Sequence, residues 1–293
     1  MDNSNGYLFQ PAQSGRLRAF AVLRVLGFVA AMGGLFLGTG FLLRHILLSL
    51  GSFEKLAFAG EFIAAICTAA ATLIMARATG RRFGDFGFRA QGRPRNFLIG
   101  LAVGIALLGA QLAVMHALGV LSFGGVQAKA SSLVYSGVFY AGLFLTVGYT
   151  EEAMWRGYAL VELSRAISFW PAAILLSVIF GAAHLMNGGE NHAGALVAFL
   201  FGIVLAFSFQ QTGSLWLALG LHSGWDYAES FIFGVPDSGV VLSGRLFHSV
   251  LHGPDWLTGG TVGPEGSILV AAPLLAMVLV SWLLRARQDV APN

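Results

Sequence analysis

The chain has 293 residues, of which 56% are hydrophobic and 11% are charged, and its mean hydropathy is +0.75. Soluble domains carry about 25% charged residues, so this composition excludes a soluble globular protein and indicates a membrane protein. The formal net charge of +3 is small and the basic residues are spread over several connections, which argues against a nucleic-acid-binding protein. A chain of this length has room for about eight spans of roughly 20 residues and little soluble structure besides.

The single cysteine, Cys67, lies in an apolar run and is expected to be a small core residue. One cysteine cannot form a disulfide framework within the chain, and no cysteine–histidine cluster has the spacing of a structural zinc site. A polar segment, residues 1–15, precedes a basic stretch and a long apolar run. That run is too long for the core of a signal peptide, so we interpret it as a membrane anchor and residues 16–293 as one transmembrane domain.

Eight apolar runs follow one another along the chain, and each is long enough to cross a bilayer as an α-helix. The runs are Val25–Leu43, Leu56–Ala76, Phe97–Leu121, Leu133–Leu163, Phe169–Met186, Ala193–Gln211, Ser214–Gly234 and Ser267–Leu284. Because backbone polar groups in a bilayer must be paired internally, the sequence predicts an all-α, polytopic transmembrane helical bundle of about eight spans. The fourth run is too long for a perpendicular crossing and is expected to tilt or to protrude.

The arginines predict the orientation of the bundle, because connections rich in Lys and Arg stay in the cytoplasm. The connection after the second run holds the most, namely Arg77, Arg81, Arg82, Arg89, Arg93 and Arg95. Counting spans from it places further basic residues on the same side, namely Arg16, Arg18, Arg24, Arg165, Arg285 and Arg287. The sequence thus predicts that both termini are cytoplasmic and that the long connection 235–266 is not.

The predicted non-cytoplasmic connection contains His248 and His252, four residues apart. Two histidines at this spacing on a helix can chelate a metal ion. No third ligand stands at a supportive spacing, so a solvated or packed helical turn is the alternative interpretation.

Ionisable side chains interrupt three of the later apolar runs. They are Glu151, Glu152 and Arg156 in the fourth run, His184 with Phe180 in the fifth, and His222 with Asp226 in the seventh. A charged residue at the centre of a membrane helix costs about 2.5–3.5 kcal/mol on insertion scales unless it is paired, neutralised or hydrated, so function is the default hypothesis. At a rise of about 1.5 Å per residue, the groups on the three runs lie within about two helical turns of one another in depth.

These residue types together suit the activation of a water molecule. A buried carboxylate beside a second carboxylate is a candidate general base, and a nearby histidine can orient the same water or hold developing charge. No serine or cysteine stands in a comparable context as a nucleophile. Two simpler interpretations stay open: Glu152 and Arg156, as i, i+4 neighbours, form a structural ion pair, and the isolated Glu61, His45 and His116 make hydrogen-bonded helix contacts.

The three motifs, in this order, closely resemble an intramembrane protease family that includes the type II CAAX prenyl endopeptidases and the bacteriocin-processing and self-immunity proteins, called the CPBP or ABI family. The motifs are Glu-Glu-x-x-x-Arg at Glu151–Arg156, Phe-x-x-x-His at Phe180–His184 and His-x-x-x-Asn/Asp at His222–Asp226. The resemblance covers roughly residues 80–233, the motif-bearing core, and includes Phe86-Gly87-Phe88 and the run Thr212–Trp216.

The resemblance implies a role for each residue of the first two motifs. Glu151 would be the general base on the attacking water, and His184 would share that water. Glu152 and Arg156 would support the position and charge of Glu151. Phe180 would be a supporting residue of the site.

For the third motif, the resemblance implies that His222 stabilises the oxyanion. Asp226 stands where many members of the family have Asn. An ionised carboxylate cannot donate a hydrogen bond, so we expect Asp226 to accept one from His222 and to fix its tautomer.

The resemblance leaves the use of a metal open, because the family is often described as metalloproteases. If zinc is present, Glu151, His184 and His222 would be its ligands, a set that zinc accepts. The chain lacks a His-Glu-x-x-His motif, and water activation by Glu and His requires no metal. We expect no required cofactor, with zinc as the alternative.

The function expected from the sequence is therefore that of a CAAX protease-like intramembrane endopeptidase, with residues 16–293 as one protease domain. Its partners would be the lipid bilayer and a membrane-associated peptide or protein substrate, reached through a cavity open to the cytoplasmic leaflet. The Ala- and Gly-rich composition suits a bacterial inner membrane. Two other classes stay open: a non-proteolytic scaffold or bacteriocin-immunity-type protein, and a proton-coupled transporter that uses the carboxylates as a relay.

Overall fold

The structure, a computed structural model, describes residues 9–88, 93–126 and 129–288. The helices are α1 (Gly15–Leu48), α2 (Phe53–Ala78), α3 (Arg93–Ala117), α4 (Ala130–Glu151), α5 (Ala159–Ile167), α6 (Phe169–His184), α7 (His192–Thr212), α8 (Trp216–Asp226), α9 (Asp255–Thr258) and α10 (Ala271–Gln288). Two-residue strands β1 (Leu121–Ser122) and β2 (Val250–Leu251) pair antiparallel. Residues 1–8 of the polar segment and Arg89 lie outside the described residues.

Every predicted apolar run coincides with helix, so the all-α polytopic class is confirmed. Among the described residues, six helical stretches are long and apolar enough to cross a membrane, namely Gly15–Leu48, Phe53–Ala78, Pro94–Ala117, Ala130–Ile167, His192–Thr212 and Ile268–Arg285. The apolar helix α6 is shorter. The chain is thus an integral membrane protein, while the count of about eight spans and the cytoplasmic side of the termini stay predictions.

A polar side chain and a glycine set the two ends of α7, the helix that precedes the third motif. The Asn191 side chain accepts hydrogen bonds from the backbone N–H groups of Ala193 and Gly194 and so caps the start of α7. At its other end Gly213 adopts the left-handed conformation, with φ of 68°, which a glycine reaches without steric cost. The chain then turns directly into α8, which carries the third motif.

The fourth apolar run forms a single kinked stretch of 38 residues. Helix α4 ends at Glu151, a π-helical segment follows at Glu152–Tyr158, and α5 continues from Ala159. Within that segment Gly157 has φ −75° and ψ −111°, which lies outside the helical region. Helices kink at π-bulges and glycines, so bending accommodates the length for which tilt or protrusion was expected. A second π-helical segment, Tyr227–Phe233, follows α8, so both π segments begin directly after a motif acid.

Glycines hold α8 in backbone contact with α3. A Cβ atom on Gly100 or Gly104 would collide with the backbone carbonyls of Leu217 and Leu221, and a Cβ atom on Gly220 would collide with that of Phe97. Gly224 makes the same kind of contact with the carbonyl of Leu101. Two Gly-x-x-x-Gly pairs therefore face each other, an arrangement that lets membrane helices approach closely. This contact fixes the position of α8 and of His222 on it.

Aromatic packing closes the end of the bundle that holds the arginine-rich connection. The rings of Phe28 and Phe86 pack on Tyr158, with centroid distances of 5.0 and 4.5 Å. Beside them the fully buried Glu162 accepts from the Nη1 atoms of Arg24 at 3.3 Å and Arg81 at 2.5 Å. This ion-pair cluster joins α1, α5 and the connection after α2.

The pair His248 and His252 does not lie on a helical turn, so that prediction was wrong. The two residues flank β2, and four residues of extended chain span about 13 Å, which is too far for one metal ion. The Nε2 atom of His252 lies 2.8 Å from Ser122 Oγ, and the Nε atom of Arg245 lies 3.4 Å from His248 Nδ1. Because the residues between the two histidines form strand β2 and pair with β1, this segment is extended and does not form the helix that the spacing suggests.

Candidate active site

The three motifs meet at one cavity of about 300 Å³ within the bundle. Among its lining residues are Glu151, Phe180, His184, His222 and Asp226. Glu152 and Arg156 are fully buried behind this wall, with relative exposures of 0% and 2%. The structure therefore brings together all of the residues that the sequence predicts for the site, from α4 with its π segment, α6 and α8.

His222 lies at the centre of the acidic residues. Its Nδ1 atom lies 2.9 Å from Oε1 of Glu152, a hydrogen-bond distance. Its Nε2 atom lies 3.5 Å from Oε2 of Glu151 and 3.6 Å from Oδ2 of Asp226. A carboxylate accepts hydrogen bonds, so Nδ1 is the nitrogen that donates, and Nε2 faces the two cavity-lining acids.

The hydrogen-bond partner of His222 differs from the expected one. Asp226 was expected to fix the tautomer, but its distance to Nε2 is that of an ion pair rather than of a hydrogen bond. Glu152 was expected to support Glu151, and instead it contacts His222 and the Nη1 atom of Arg156, which lies 3.0 Å from the same Oε1. Both acids have right-handed helical dihedrals, and adjacent residues of a helix lie about 100° apart around its axis, so Glu152 points away from Glu151 and towards α8.

His184 is oriented by the backbone of its own helix. Its Nδ1 atom lies 2.8 Å from the carbonyl oxygen of Phe180, which can only accept. Nδ1 therefore carries the hydrogen, and the neutral ring keeps the lone pair of Nε2 as an acceptor. The i, i+4 spacing of the second motif is what places the imidazole over this carbonyl.

The ring of Phe180 is the aromatic contact between the motifs. Its centroid is 4.5 Å from that of His184 and 6.5 Å from that of His222. The guanidinium carbon of Arg156 lies 4.2 Å from the same centroid, within the range of a cation–π interaction. Phe180 thus packs on residues of all three motifs and fixes their relative positions.

The cavity extends towards the end of the bundle opposite the arginine-rich connection. Asn187, Asp237, Ser238 and Glu265, which belong to the two connections at that end, line it. With the orientation that the arginines predict, this end would be non-cytoplasmic, so the predicted orientation and the predicted opening towards the cytoplasmic leaflet do not agree with each other. The positions of the motif residues along their helices predict how deep in the membrane the site lies. They do not predict from which end of the bundle a substrate reaches it.

Glu61 lies on the cavity wall, and its backbone carbonyl accepts a hydrogen bond from Thr150 Oγ1 on α4 at 3.3 Å, so the expected helix contact is made by the backbone. By contrast, His116 makes the expected contact, with its Nδ1 atom 2.8 Å from the carbonyl oxygen of Leu121. Cys67 is buried in α2 and free, as expected. The sequence could not predict that Glu61 lines the cavity, because Glu61 is isolated in its apolar run and no motif residue lies on α2.

Sequence analysis also missed the acidic character of the far end of the cavity. Asp237 and Glu265 line it, and the fully buried Glu229 lies beside them. Burial raises the pKa of the Asp237 carboxyl well above its ordinary value, and the charges of Asp226 and Glu265 raise it further. Burial likewise raises the pKa of Glu190 in the neighbouring connection. These acids are scattered along the sequence, so nothing in the sequence indicates that they meet in one buried region with few basic residues.

The side chains of Glu151, His184 and His222 do not fit a shared zinc ion in this geometry. Zinc ligand atoms lie about 2.0–2.2 Å from the metal, which places them within about 4 Å of one another. Among the described residues, the one group of three or more ligand side chains whose atoms all lie within 4.8 Å is Glu229, Asp237 and Glu265. The zinc alternative therefore stays a prediction that this geometry does not support.

A polytopic helical bundle with paired acids, an arginine and two histidines around an internal cavity is the arrangement expected of an intramembrane protease. Residues 133–228, which are 96 of the 293 residues, match the family described as type II CAAX prenyl endopeptidase Rce1-like. The matched segment contains all three motifs, and it confirms the resemblance seen in the sequence. The match supports an intramembrane protease of the CAAX type in general. The comparisons with curated proteins and with solved structures give no match.

Proposed function

We propose that the chain is an intramembrane endopeptidase that hydrolyses a peptide bond of a membrane-associated peptide or protein with a water activated by Glu151 and His184. One observation carries the proposal: three motifs on separate helices meet at one cavity, and Glu151, His184 and His222 all line it. Residues that served only to pack helices together would not need to expose these three side chains to the same internal space.

Glu151 is the proposed general base. Its side chain lines the cavity and is 24% exposed, while its Oε2 atom is buried 3.5 Å from Nε2 of His222. It can therefore accept a proton from a water in the cavity while that water attacks the carbonyl carbon of the substrate. The same proton then passes to the amide nitrogen as the carbon–nitrogen bond breaks, which regenerates the carboxylate. His184 contributes the Nε2 lone pair that orients the water.

His222 is the proposed oxyanion-stabilising group. With Nδ1 hydrogen-bonded to Glu152, the ring is held so that Nε2 faces the cavity, and a protonated Nε2 would donate to the developing oxyanion. Asp226 and Glu151, both within 3.6 Å of Nε2, would provide the negative charge that balances the imidazolium. Asp226 is thus proposed as a positioning residue, because it cannot itself donate to an oxyanion when it is ionised.

Glu152, Arg156 and Phe180 are proposed as the support of this arrangement. Glu152 accepts from Arg156 and from His222 through the same oxygen, so the arginine neutralises the acid that orients the histidine. Phe180 packs on Arg156 and on both histidines. This mechanism routes no step through a metal, since the three candidate ligands are too far apart to share one ion.

The substrate is proposed at the level of its chemical class. The family that matches is described as type II CAAX prenyl endopeptidase Rce1-like, but that description does not fix the substrate of this chain, so we propose a membrane-associated peptide or protein without restricting it to prenylated ones. Residues 16–293 would form one protease domain with the connection 235–266 at its non-cytoplasmic end. We propose the bacterial inner membrane as its location.

The direct test compares the termini of membrane proteins in cells that express the wild-type chain or Glu151→Gln. We expect new termini with the wild-type chain that are absent with Glu151→Gln, His184→Ala and His222→Ala. Matched controls are Glu54→Gln and His45→Ala, which remove the same side-chain types outside the cavity. Normal cleavage by Glu151→Gln, in a variant that inserts and folds, would overturn the proposed mechanism.

The same variants separate the two other classes. A scaffold or immunity-type protein would keep binding its partner after loss of Glu151, His184 and His222. A transporter would show proton-coupled uptake in liposomes without any cleaved peptide.

A further inference from the structure

Three carboxylates that the proposed reaction does not use converge at the far end of the cavity. Glu229, Asp237 and Glu265 each offer one oxygen, and these oxygens all lie within 4.8 Å of one another. The residues come from three separate segments, namely the π-helical segment after α8, the turn that follows it, and the short 3₁₀ helix Pro264–Gly266. We call this group the acid cluster.

Glu229 has both carboxylate oxygens buried without a hydrogen-bond partner among the described residues. The residue is fully buried, with a relative exposure of 0%. Burying an ionised carboxylate costs several kcal/mol unless a countercharge or hydrogen bonds replace the lost water. No arginine, lysine or histidine forms an ion pair with it among the described residues. The buried oxygen of Glu229 that points into the cluster therefore indicates a missing positive partner.

The other two acids are held in place by neutral donors. Ser230 Oγ donates to Asp237 Oδ2 at 2.8 Å. Glu265 accepts from the indole N–H of Trp225 at 3.0 Å and from Ser238 Oγ at 2.6 Å. Neutral donors orient these carboxyl groups but supply no positive charge. The cluster thus combines fixed ligand positions with three acids whose ionised forms need a countercharge, which a bound cation would supply.

The backbone around the cluster is built to hold its segments together. The N–H of Gly239 donates to the carbonyl of Val262 at 2.9 Å, which links the turn with Asp237 to the loop before Glu265. Gly263 adopts φ of 99°, and a Cβ atom there would collide with the carbonyl of Pro236. Only glycine allows this close approach of the two loops. The ligand positions are therefore set by the fold before any ion binds.

We propose that Glu229, Asp237 and Glu265 bind a divalent cation with the size and ligand preference of calcium. All three ligands are carboxylate oxygens, which hard cations prefer, whereas zinc and copper favour nitrogen and sulfur. Calcium ligands lie about 2.4 Å from the ion, so two oxygens on opposite sides of it are about 4.8 Å apart. The oxygens of the cluster lie within that distance of one another, which leaves room for either ion. Calcium fits three carboxylates from separate segments better, because it takes six to eight oxygen ligands in a flexible geometry, whereas magnesium demands near-ideal octahedral geometry and keeps several waters.

The bound cation would tie the long connection to the helix that carries the third motif. Asp237 and Glu265 line the cavity, and Trp225, which donates to Glu265, is the residue next to Asp226. The site does not depend on the proposed protease reaction, since none of its three ligands takes part in it. Binding of the ion and cleavage of a peptide can therefore be tested separately.

Terbium luminescence offers a direct assay, because Tb³⁺ replaces calcium at oxygen sites and is excited by a tryptophan close to it. We expect purified protein in detergent, freed of cations with a chelator, to give saturable Tb³⁺ emission that added Ca²⁺ displaces. Trp225→Phe should lose the emission while Ca²⁺ still raises its melting temperature. Glu229→Gln and Asp237→Asn should weaken binding of Ca²⁺ at least about tenfold, since even indirect contacts of a metal ligand are worth that much. Glu54→Gln is the matched control and should bind as the wild type does.

Two results would overturn the proposal. One is an unchanged melting temperature with Ca²⁺ together with Tb³⁺ emission that is the same in wild type and Asp237→Asn, which would mean that the acids are neutralised by protons instead. The other is stabilisation by Zn²⁺ but not by Ca²⁺. If Glu229→Gln does not fold, the partly exposed Asp237 and Glu265 provide the variants that decide the outcome.

Discussion

Glu152 and His222 lie 70 positions apart in the sequence and are joined by a 2.9 Å contact between Oε1 and Nδ1. The contact links the kink after α4 to α8 and connects Arg156, at 3.0 Å from the same oxygen, to the histidine. Of the two adjacent acids in the first motif, one is therefore internal and paired, and the other faces the cavity. This division leads to different expectations for two otherwise similar substitutions.

Glu152→Gln should destabilise the fold, whereas Glu151→Gln should chiefly affect cleavage. Replacing Glu152 leaves the guanidinium of Arg156 buried without its countercharge, and breaking a buried pair in this way costs about 3–5 kcal/mol. Glu151 is partly exposed to the cavity, so its amide variant should unfold close to the wild-type temperature. Removing a general base should lower the cleavage rate by about 10²–10⁴-fold. Thermal unfolding in detergent and a cleavage assay measure the two effects, and equal unfolding temperatures for both variants would contradict the division.

Much of this site could be predicted because its signals are local. The apolar runs gave the helices, and the i, i+4 spacing correctly paired Glu152 with Arg156 and Phe180 with His184. The contact of Glu152 with His222 could not be predicted, since it depends on how α8 packs against the first motif, and helical periodicity relates only residues of the same helix. Which of the two adjacent acids faces the cavity is decided by the same packing.

Other parts of the site arise from contacts that the sequence does not pair. Asp237 and Glu265 lie in a connection without periodicity, so nothing in the sequence brings them to Glu229. Likewise, the helical spacing of His248 and His252 was overruled by strand pairing. One missed signal was available: Gly100 and Gly104 in one run and Gly220 and Gly224 in another are small-residue pairs that indicate close helix contact.

Gly220→Ala should destabilise the bundle and impair cleavage together. The new methyl group would collide with the backbone carbonyl of Phe97 on α3, which cannot rotate away as a side chain could. Overpacking of this kind costs about 1–3 kcal/mol and would displace α8 with His222. Gly38→Ala in α1, where nothing lies within 4 Å of the new Cβ atom, is the matched control. Unfolding temperature and cleavage rate should both fall for Gly220→Ala alone, and similar results for the two variants would argue against backbone contact between α3 and α8.

Glu162→Gln should loosen the end of the bundle that holds the arginine-rich connection. The carboxylate is fully buried and accepts from both Arg24 and Arg81, and hydrogen bonds to charged groups are worth about 1.5–3 kcal/mol. Because the two arginines are partly exposed and can regain water, we expect a loss of about 2 kcal/mol. Protease accessibility of the connection after α2, together with thermal unfolding, reports the change. Glu54→Gln, at the other end of α2, should leave the protease accessibility of this connection unchanged. An unaltered Glu162→Gln would mean that the buried cluster is replaceable by neutral hydrogen bonds.

Glu190 should make the stability of the protein depend on pH. Burial raises its pKa above the ordinary value of 4.5, although the backbone N–H of Asn191 acts in the opposite direction. Above that ordinary value the folded chain holds a proton that the unfolded chain has released, so the free energy of unfolding falls as the pH rises through the window up to the raised pKa.

Glu190→Gln removes this titration and should melt at a higher temperature than the wild type at about pH 8, with the difference shrinking towards about pH 4. The measurement is thermal unfolding over that pH range with a chelator present, because a cation near Glu265 would alter the charge that Glu190 faces. Parallel pH profiles for the two proteins would show that the buried carboxyl of Glu190 keeps its ordinary pKa, and that the connection before α7 is more open to water than its packing indicates.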